Sequence, residues 1–339
     1  MKPPSATQRA ALKSFFLLVA VLLALTVWEQ TKPVYLMRWS GQVMGGPYTI
    51  LVRDRVVNDG VKKMLDSDFP DFMSKMEDRF SRAAGLGLVA EFNSSTSTLP
   101  AIVGSEIWRV VDVEKRLNNA SGVSDITMAS LEDVWKRVQA GNISAPAPRY
   151  ARGLLAESGM AKLYAPAEPY IRKLRPELKL SLDTVAAGYV ADRAVVYMTE
   201  NKIKNFFINI GGVVVANGDM EQSLAVSVCD VPVNGAPAPK VVLNSRAMAT
   251  AGRYDGLVHV DPRTGLPVSN EVCCVTVIAE NGLTAKALAN ALYLLGPKAG
   301  ITLTVNNDIS TVAESIFLIE KPGGGFTTVQ TEKFPIAMP

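Results

Sequence analysis

The stretch 282-GLTAKALANALYLLG-296 decides how the second half of the chain is read. Ala285, Ala287, Leu288, Ala291, Leu292 and Leu295 give the apolar spacing of a buried helix. Lys286 and Asn290 interrupt that pattern. They stand four residues apart, so they share one face and can touch. A charge inside an apolar helix costs free energy unless it is paired. Either the two polar residues serve a site, or Lys286 meets a carboxylate or water with its stem lying over the alanines.

On either side of this helix the pattern is mixed. Residues 184–201 have helical spacing, and 206-FFINIGGVVVANG-218 reads as an apolar strand with a Gly-Gly break. Further strands are expected near 223–230, 240–244 and 272–279, and a Gly-rich hairpin at 321-KPGGGFTTV-329. Nearer the N-terminus, 40-SGQVMGGPYTILVRD-54 reads as a strand pair. Residues 60–84, 105–118 and 128–140 have helical spacing, with Thr127 and Ser130 as helix starts. The Pro-rich stretches 144–150 and 164–176 read as surface connections. Helices first, then strands and helices together, give an α+β fold.

The chain has 339 residues, 48% apolar and 20% charged, and a net charge of +3. This is the composition of a folded protein with a sizeable core. The small charge and the lack of a basic stripe interleaved with aromatics argue against nucleic acid as a partner. One histidine, His259, excludes metal motifs that need two, and leaves one imidazole for acid–base work. The cysteines Cys229, Cys273 and Cys274 form no C-x-x-C, and their spacing gives neither a disulfide framework nor a zinc site. They read as small packing residues.

Residues 1–13 are polar and carry Lys2, Arg9 and Lys13. The uncharged run 14-SFFLLVAVLLALTVW-28 follows. Positive charges before an apolar run place the N-terminus in the cytoplasm and the body beyond the membrane. The expectation is a cytoplasmic segment 1–13, a single-pass anchor or uncleaved signal at 14–32 in the inner membrane, and a periplasmic domain from 33 to 339.

Five stretches in order resemble the FAD:protein FMN transferase family, the ApbE-like proteins. MGGPYTI (44–50) is similar to the family's opening M-G-T-x-Y strand, and SLDTVAAGYVAD (181–192) to its D-L-S/G-x-x-x-x-G-Y-x-x-D helix entry. INIGGVVVANG (208–218) resembles its N-x-G-G strand. MATAGRYDGLVHVDPRTGLPV (248–268) resembles A-T-S-G-x-Y … H-x-I-D-P-x-T-G-x-P, and AKALANALYLLGP (285–297) resembles A-D-A-x-x-T-A-L-x-x-L-G-P. A fainter echo is SDITMASLEDVWK (124–136). The resemblance implies an ApbE-like fold, a mixed or antiparallel sheet flanked by helices. It also implies exported or membrane-tethered proteins that bind FAD, hold its pyrophosphate with Mg²⁺, and attach FMN to a Thr or Ser of a partner redox protein. Flavin-facing positions carried over in this way are Met44, Tyr48, Ser181, Thr184, Ala187, Gly211, Gly212, Lys286 and Asn290. His259 and Asp261 are the catalytic candidates.

Several matched positions depart from the pattern. The family's metal-binding aspartate falls on Lys286 and its threonine on Asn290. An ammonium has no lone pair to offer and repels a cation. The remaining contribution, a backbone carbonyl near Thr184, is not a Mg²⁺ site by itself. The family's helix-entry Asp is Ser181, the residue before its G-Y is Ala187, and the Ser of A-T-S-G is Ala251. His259 precedes Asp261 by two residues where the family has three, a slip that a shortened turn at Asp255–Gly256 would absorb. Two expectations stay open. One is a weak or inactive family member, with FAD or FMN as its ligand and no Mg²⁺, acting as a flavin-holding or assembly subunit of a membrane redox complex. The other is a working transferase in which Lys286 replaces the metal.

Overall fold

The computed structural model describes residues 15–16, 18–24, 34–54, 59–83, 85, 87–218, 220, 226–227, 229, 240–243, 246–253, 255–306, 309–310 and 312–336. Eight strands form the main sheet: β1 (Tyr35–Val43), β2 (Gly46–Asp54), β3 (Phe206–Ile210), β4 (Val213–Asn217), β5 (Ala247–Gly252), β6 (Val272–Ala279), β7 (Glu314–Glu320) and β8 (Phe326–Gln330). Each lies beside its predecessor, and every neighbouring pair is antiparallel. Of the mixed and antiparallel alternatives, the sheet is therefore the antiparallel one.

Seven helices matter below: α1 (Phe69–Phe80), α2 (Gly104–Ser121), α3 (Ala129–Gln139), α4 (Pro148–Glu157), α5 (Ala186–Glu200), α6 (Gly282–Leu295) and α7 (Pro297–Asn306). Most of the helical layer is inserted between β2 and β3. All eight residues of β6 are buried, because the sheet is covered on both faces here. On one face Ala247, Ala249 and Ala251 of β5 join the main core with Ala285, Leu288 and Ala289 of α6. Alanine against alanine lets helix and strand approach closely. On the other face Met248, Ile278 and Ile316 join a smaller cluster with Phe207, Val214 and Phe334.

The Gly-Gly break has a plain cause. Ile210 pairs with Val213, and Gly211 (φ 55°) and Gly212 (φ 78°) form the two-residue turn between them. Both central residues of such a hairpin turn need positive φ, which glycine adopts without steric cost.

Some expectations need correction. The Pro-rich stretch 144–150 leads directly into α4, whose Pro148 sits at the helix start, where the missing N–H costs nothing. The stretch 164–176 contains two strands, Leu163–Ala167 and Tyr170–Lys173, which form a small sheet with Ala101–Ile102. Neither Thr127 nor Ser130 caps α3. Met128 holds the cap position, and Thr127 Oγ1 accepts from the Gly159 amide at 2.6 Å. The cysteines are not all packing residues: Cys229 and Cys274 form a disulfide, with Cα atoms 6.0 Å apart, while Cys273 stays free and buried.

The expected anchor at 14–32 falls largely outside the described residues. Within it, 15–16 and 18–24 are helical. Among the described residues no helix is long and apolar enough to cross a membrane.

Candidate functional site

Helix α6 is placed by its first turn. Asn281 caps it, its Oδ1 accepting from the Thr284 amide at 2.9 Å. Asp192 of α5 accepts from the amides of Gly282 (2.6 Å) and Leu283 (3.0 Å). These amides have no partner within the helix, and a carboxylate there also meets the positive end of the helix dipole. Burial pushes the Asp192 carboxyl up to about 6, although both amides pull the other way. The two helices cross at glycines: a Cβ on Gly188 would lie 2.5 Å from the Gly282 carbonyl oxygen.

One and two turns into α6 stand Lys286 and Asn290. They share a face as expected, but each reaches a different backbone carbonyl. Lys286 is 1% exposed, and its Nζ donates to the Thr250 carbonyl of β5 at 2.9 Å. Asn290 Nδ2 donates to the Thr184 carbonyl at 2.8 Å. The Asn290 Oδ1 atom is buried without a hydrogen-bond partner among the described residues.

The counter-charge of Lys286 is Asp255, with Oδ2 3.9 Å from Nζ. Asp255 is a hub. Its carboxylate accepts from the amides of Gly252 (3.2 Å) and Leu257 (2.9 Å) and from His259 Nε2 (2.8 Å). Burial alone would raise the Asp255 carboxyl. The bond and charge of His259, then Lys286 and the Leu257 amide, outweigh it and hold the group below the usual carboxylate range. Burial lowers Lys286, and Asp255 offsets part of that. The His259 ring packs edge-on against Tyr293 of α6, with centroids 5.0 Å apart.

His259, Thr184 and Asn290 line one small cavity with Glu114, Ser124, Asp125 and Glu132. The segment carrying Thr184 is pinned by Asp183, which takes a two-pronged ion pair from Arg82 (3.2 and 2.8 Å) and a bond from Lys136 (2.8 Å). Ser181 Oγ donates to Glu132, and Ser124 Oγ donates to Glu114. Burial pushes the Glu114 carboxyl up to about 7 and raises Glu132 and Asp125 as well, with the hydrogen bonds from Ser124, Ser181 and Thr127 opposing. The cavity volume is about 40 Å³, on the scale of a water molecule.

The expected site residues therefore divide. Thr184, His259 and Asn290 come together, and Ser181 joins through Glu132. The short turn at Asp255–Gly256, with Gly256 at φ 78°, does bring His259 inward. Lys286 does not line the cavity and is linked to it through Asp255 and then His259. Asp261 is turned elsewhere: it is held by Arg263 (2.8 and 2.9 Å) and lines a separate groove with Leu266, Pro267 and Pro297. There the Asp-Pro-x-Thr-Gly turn closes on itself through Gly265 N to Asp261 O (2.8 Å), and Trp135 reads it by donating to the Gly265 carbonyl (2.9 Å). Tyr48 is a core residue, its ring against Gly41 and Phe69, and Met44 packs beside the same core. Ala187 touches Gly211 across the helix–sheet interface, and Gly212 serves the turn. The sequence reading missed Asp255, Glu114 and Glu132. The burial of the two glutamates, and the partners that Asp255 gathers, are invisible in a charged residue seen in sequence alone.

The residues at the expected Mg²⁺ position do not fit that ion. Lys286 brings a positive charge, and the Thr184 carbonyl is taken by the Asn290 amide. Among the described residues no group of three His, Cys, Asp or Glu side chains is arranged to hold a metal.

Comparison with known proteins agrees with the fold. A match to the ApbE family spans residues 44–313. An FAD:protein FMN transferase from Vibrio cholerae is 25% identical over 338 residues, covering 95% of this chain and 98% of that protein. The one from Escherichia coli is 27% identical over 260 residues, covering 72% of this chain and 73% of that protein. Among solved structures, flavin transferase ApbE from Vibrio cholerae superposes with a TM-score of 0.77 at 24% identity, covering 89% of this chain and 99% of that one. Pseudomonas stutzeri flavinyl transferase ApbE, apo form, gives 0.75 at 21%, covering 88% and 95%. At these identities the superpositions speak for the fold, and the family match for membership: this chain belongs to the ApbE family.

Proposed function

We propose that this chain is an ApbE-family protein with weak or absent FMN transferase activity, working as a non-catalytic or assembly subunit beside a membrane redox protein. The observation that carries the reading is the pair of bonds from Lys286 and Asn290 to the Thr250 and Thr184 carbonyls. Phosphoryl transfer from a dinucleotide needs charge neutralisation at the pyrophosphate, usually by a divalent ion. Here the matching position holds a buried ammonium already committed to Asp255 and a carbonyl. The same commitment disfavours the alternative in which Lys286 takes over the metal's work, because Nζ points at the sheet.

Relatives named FAD:protein FMN transferase support flavin as the ligand class. The unpartnered Asn290 Oδ1 calls for a hydrogen-bond donor, which the imide N–H of a flavin ring would supply. Ligand pockets usually enclose roughly 300 Å³ or more, so a flavin would enter only if the cavity widens. The anchor at 14–32, a body beyond the cytoplasmic membrane and a redox partner remain part of this proposal.

The test is to incubate the full chain with FAD, Mg²⁺ and an acceptor domain, and to look for covalently bound flavin fluorescence on a denaturing gel. The expected result is no labelling above background. Labelling at a rate near that of the Vibrio cholerae relative would overturn the proposal. Yellow protein without labelling would assign it flavin holding, and colourless protein a structural role.

A further inference from the structure

We propose that the Cys229–Cys274 disulfide is a thiol-exchange site through which a dithiol reductant acts on the Asp255–His259 pair. Cys274 lies in β6 directly opposite Gly252, the last residue of β5. The two backbones are flush: a Cβ on Gly252 would lie 2.7 Å from Cys274 Cα and Cβ and 2.6 Å from the Cys273 carbonyl oxygen. The turn that begins there is tied to the same place, since Arg253 N donates to the Cys273 carbonyl at 2.9 Å. Gly252 N then donates to Asp255 Oδ2, the oxygen that also takes His259 Nε2. From the sulfur of Cys274 to the imidazole, each link is a packed or hydrogen-bonded contact.

A second route leads to Lys286. Cys229 Sγ lies 3.6 Å from Thr276 Oγ1, which shares a 2.7 Å hydrogen bond with Thr250 Oγ1. The carbonyl of that same Thr250 accepts from Lys286. The Lys286 ammonium that faces Asp255 thus rests on β5, the strand paired with the one that carries Cys274.

The backbone of Cys229 supplies an independent observation. Its φ is 61°, in the left-handed region that residues with a Cβ seldom occupy. In this proposal the bond to Cys274 is what keeps it there. Once the bond opens, Cys229 is free to leave that conformation, and the support it gives to Thr276 and Cys274 goes with it.

The exchange is balanced as follows. A thiolate of the dithiol attacks Sγ of Cys229, which is half-buried, rather than Cys274, which is 5% exposed. A mixed disulfide forms, the Cys229–Cys274 bond breaks, and its electron pair leaves on Cys274, which takes up a proton. The second thiol of the reductant then displaces Cys229. Two electrons and two protons pass from the dithiol to the protein, and the reductant becomes a cyclic disulfide. Cys273 takes no part: it is buried, and burial pushes its thiol up, away from the reactive thiolate.

Because His259 is the one histidine of the chain, it reports on the site without ambiguity. The full chain, labelled with carbon-13 histidine, is titrated with mixtures of reduced and oxidised dithiothreitol. Free thiols are counted by maleimide mass tagging. The expected result is a rise from one free thiol to three. The His259 resonance moves with the same midpoint, and far-ultraviolet circular dichroism stays native. Cys273→Ala keeps this response, and Cys229→Ser shows the reduced resonance without reductant. A His259 signal that stays in place while the thiol count rises would overturn the proposal, as would thiols that appear only when the protein unfolds. The wild-type titration decides the matter by itself if Cys229→Ser does not fold.

Discussion

Buried Lys286 and half-buried Asp255 form an ion pair, 3.9 Å apart, between a helix of alanines and the turn that carries the chain's single histidine. Three facts make the pair a unit. Asp255 is held below the usual carboxylate range, Lys286 has a carbonyl as its second partner, and His259 approaches the same carboxylate oxygen.

Removing the charge of Lys286 takes one favourable partner from Asp255 and leaves it His259 and the Gly252 and Leu257 amides. Lys286→Met keeps most of the side-chain volume and removes the charge. It should destabilise the protein by about 1–3 kcal/mol, less than the loss of a buried pair whose partner is left bare. Urea denaturation at neutral pH measures it. A change below roughly 0.5 kcal/mol, typical of surface substitutions, would mean that the pair contributes little.

Restoring the family's residues should restore ion binding. In Lys286→Asp combined with Asn290→Thr, two carboxylates face each other at Asp255 and the Thr184 carbonyl is released. Two like charges at that distance repel, so the variant should melt below the wild type in chelator. Millimolar Mg²⁺ should raise its melting temperature and leave the wild type unchanged. Equal responses from both proteins would remove the basis for treating residues 286 and 290 as the point of departure from the family.

Stability should fall as pH rises past 5, and Glu114 should account for much of the fall. Its ordinary value is 4.5 and its folded value about 7. The unfolded chain gives up that proton first, so between these values the folded state binds more protons and loses stability with rising pH. A shift of this size corresponds to about 3 kcal/mol. Glu114→Gln keeps an acceptor for Ser124 and should flatten the dependence, so that the variant gains on the wild type from pH 5 to pH 8. Asp255 works in the opposite direction. Its folded value is depressed, so its contribution is present above the ordinary 3.8 and is lost as pH falls through the lower folded value.

The crossing of α5 and α6 leaves no room for a methyl group. Gly188→Ala would place Cβ 2.5 Å from the Gly282 oxygen and 2.8 Å from Leu283 Cα, both backbone atoms that cannot swing away. Overpacking of this kind costs about 1–3 kcal/mol or more. Gly122→Ala at the end of α2 meets no atom within 4 Å, but φ there is 70°, so its cost would be backbone strain alone. Comparing the two variants by chemical denaturation separates crowding from strain, with Gly188→Ala expected to be the worse.

The disulfide should stabilise the chain independently of any effect on the site. The cysteines are 45 residues apart in sequence. Closing a loop of that length limits the unfolded chain by about 4 kcal/mol on the chain-entropy account. Cys229→Ser should lose a large part of this in denaturant titrations under oxidising conditions, and the loss should vanish when both proteins are reduced.

How far the sequence carried the reading depends on how local each feature is. The hairpin at Met44–Gly45, the turn at Gly211–Gly212, the strand 272–279 and the helix 282–295 were legible because their signals are short-range: positive-φ glycines, β-branched runs and helical spacing. The strands at 163–173 were not, because Pro166 and Pro169 suggest a loop, whereas proline is tolerated at the edge of so small a sheet. Glu114 and Glu132 lie in helices rich in other charges, so nothing local distinguishes a buried carboxyl from a solvated one. Asp255 reads as a turn residue, and it is one; its second role depends on α6 arriving from thirty residues later. The pairing of Cys229 with Cys274 is a fact of the folded sheet, with no spacing rule behind it.

The position of the helical layer has a consequence for biogenesis. Residues 55–205 are made after β2 and before β3, yet these two strands are neighbours, with Tyr48 opposite Ile210. Until the ribosome has passed that isoleucine, the β2 edge of the first hairpin has no hydrogen-bonding partner strand. Contacts so distant in sequence form late. The newborn chain therefore carries a sticky ribbon through nearly half of its synthesis, and a holdase that grips the first fifty residues would be the natural guardian of this fold.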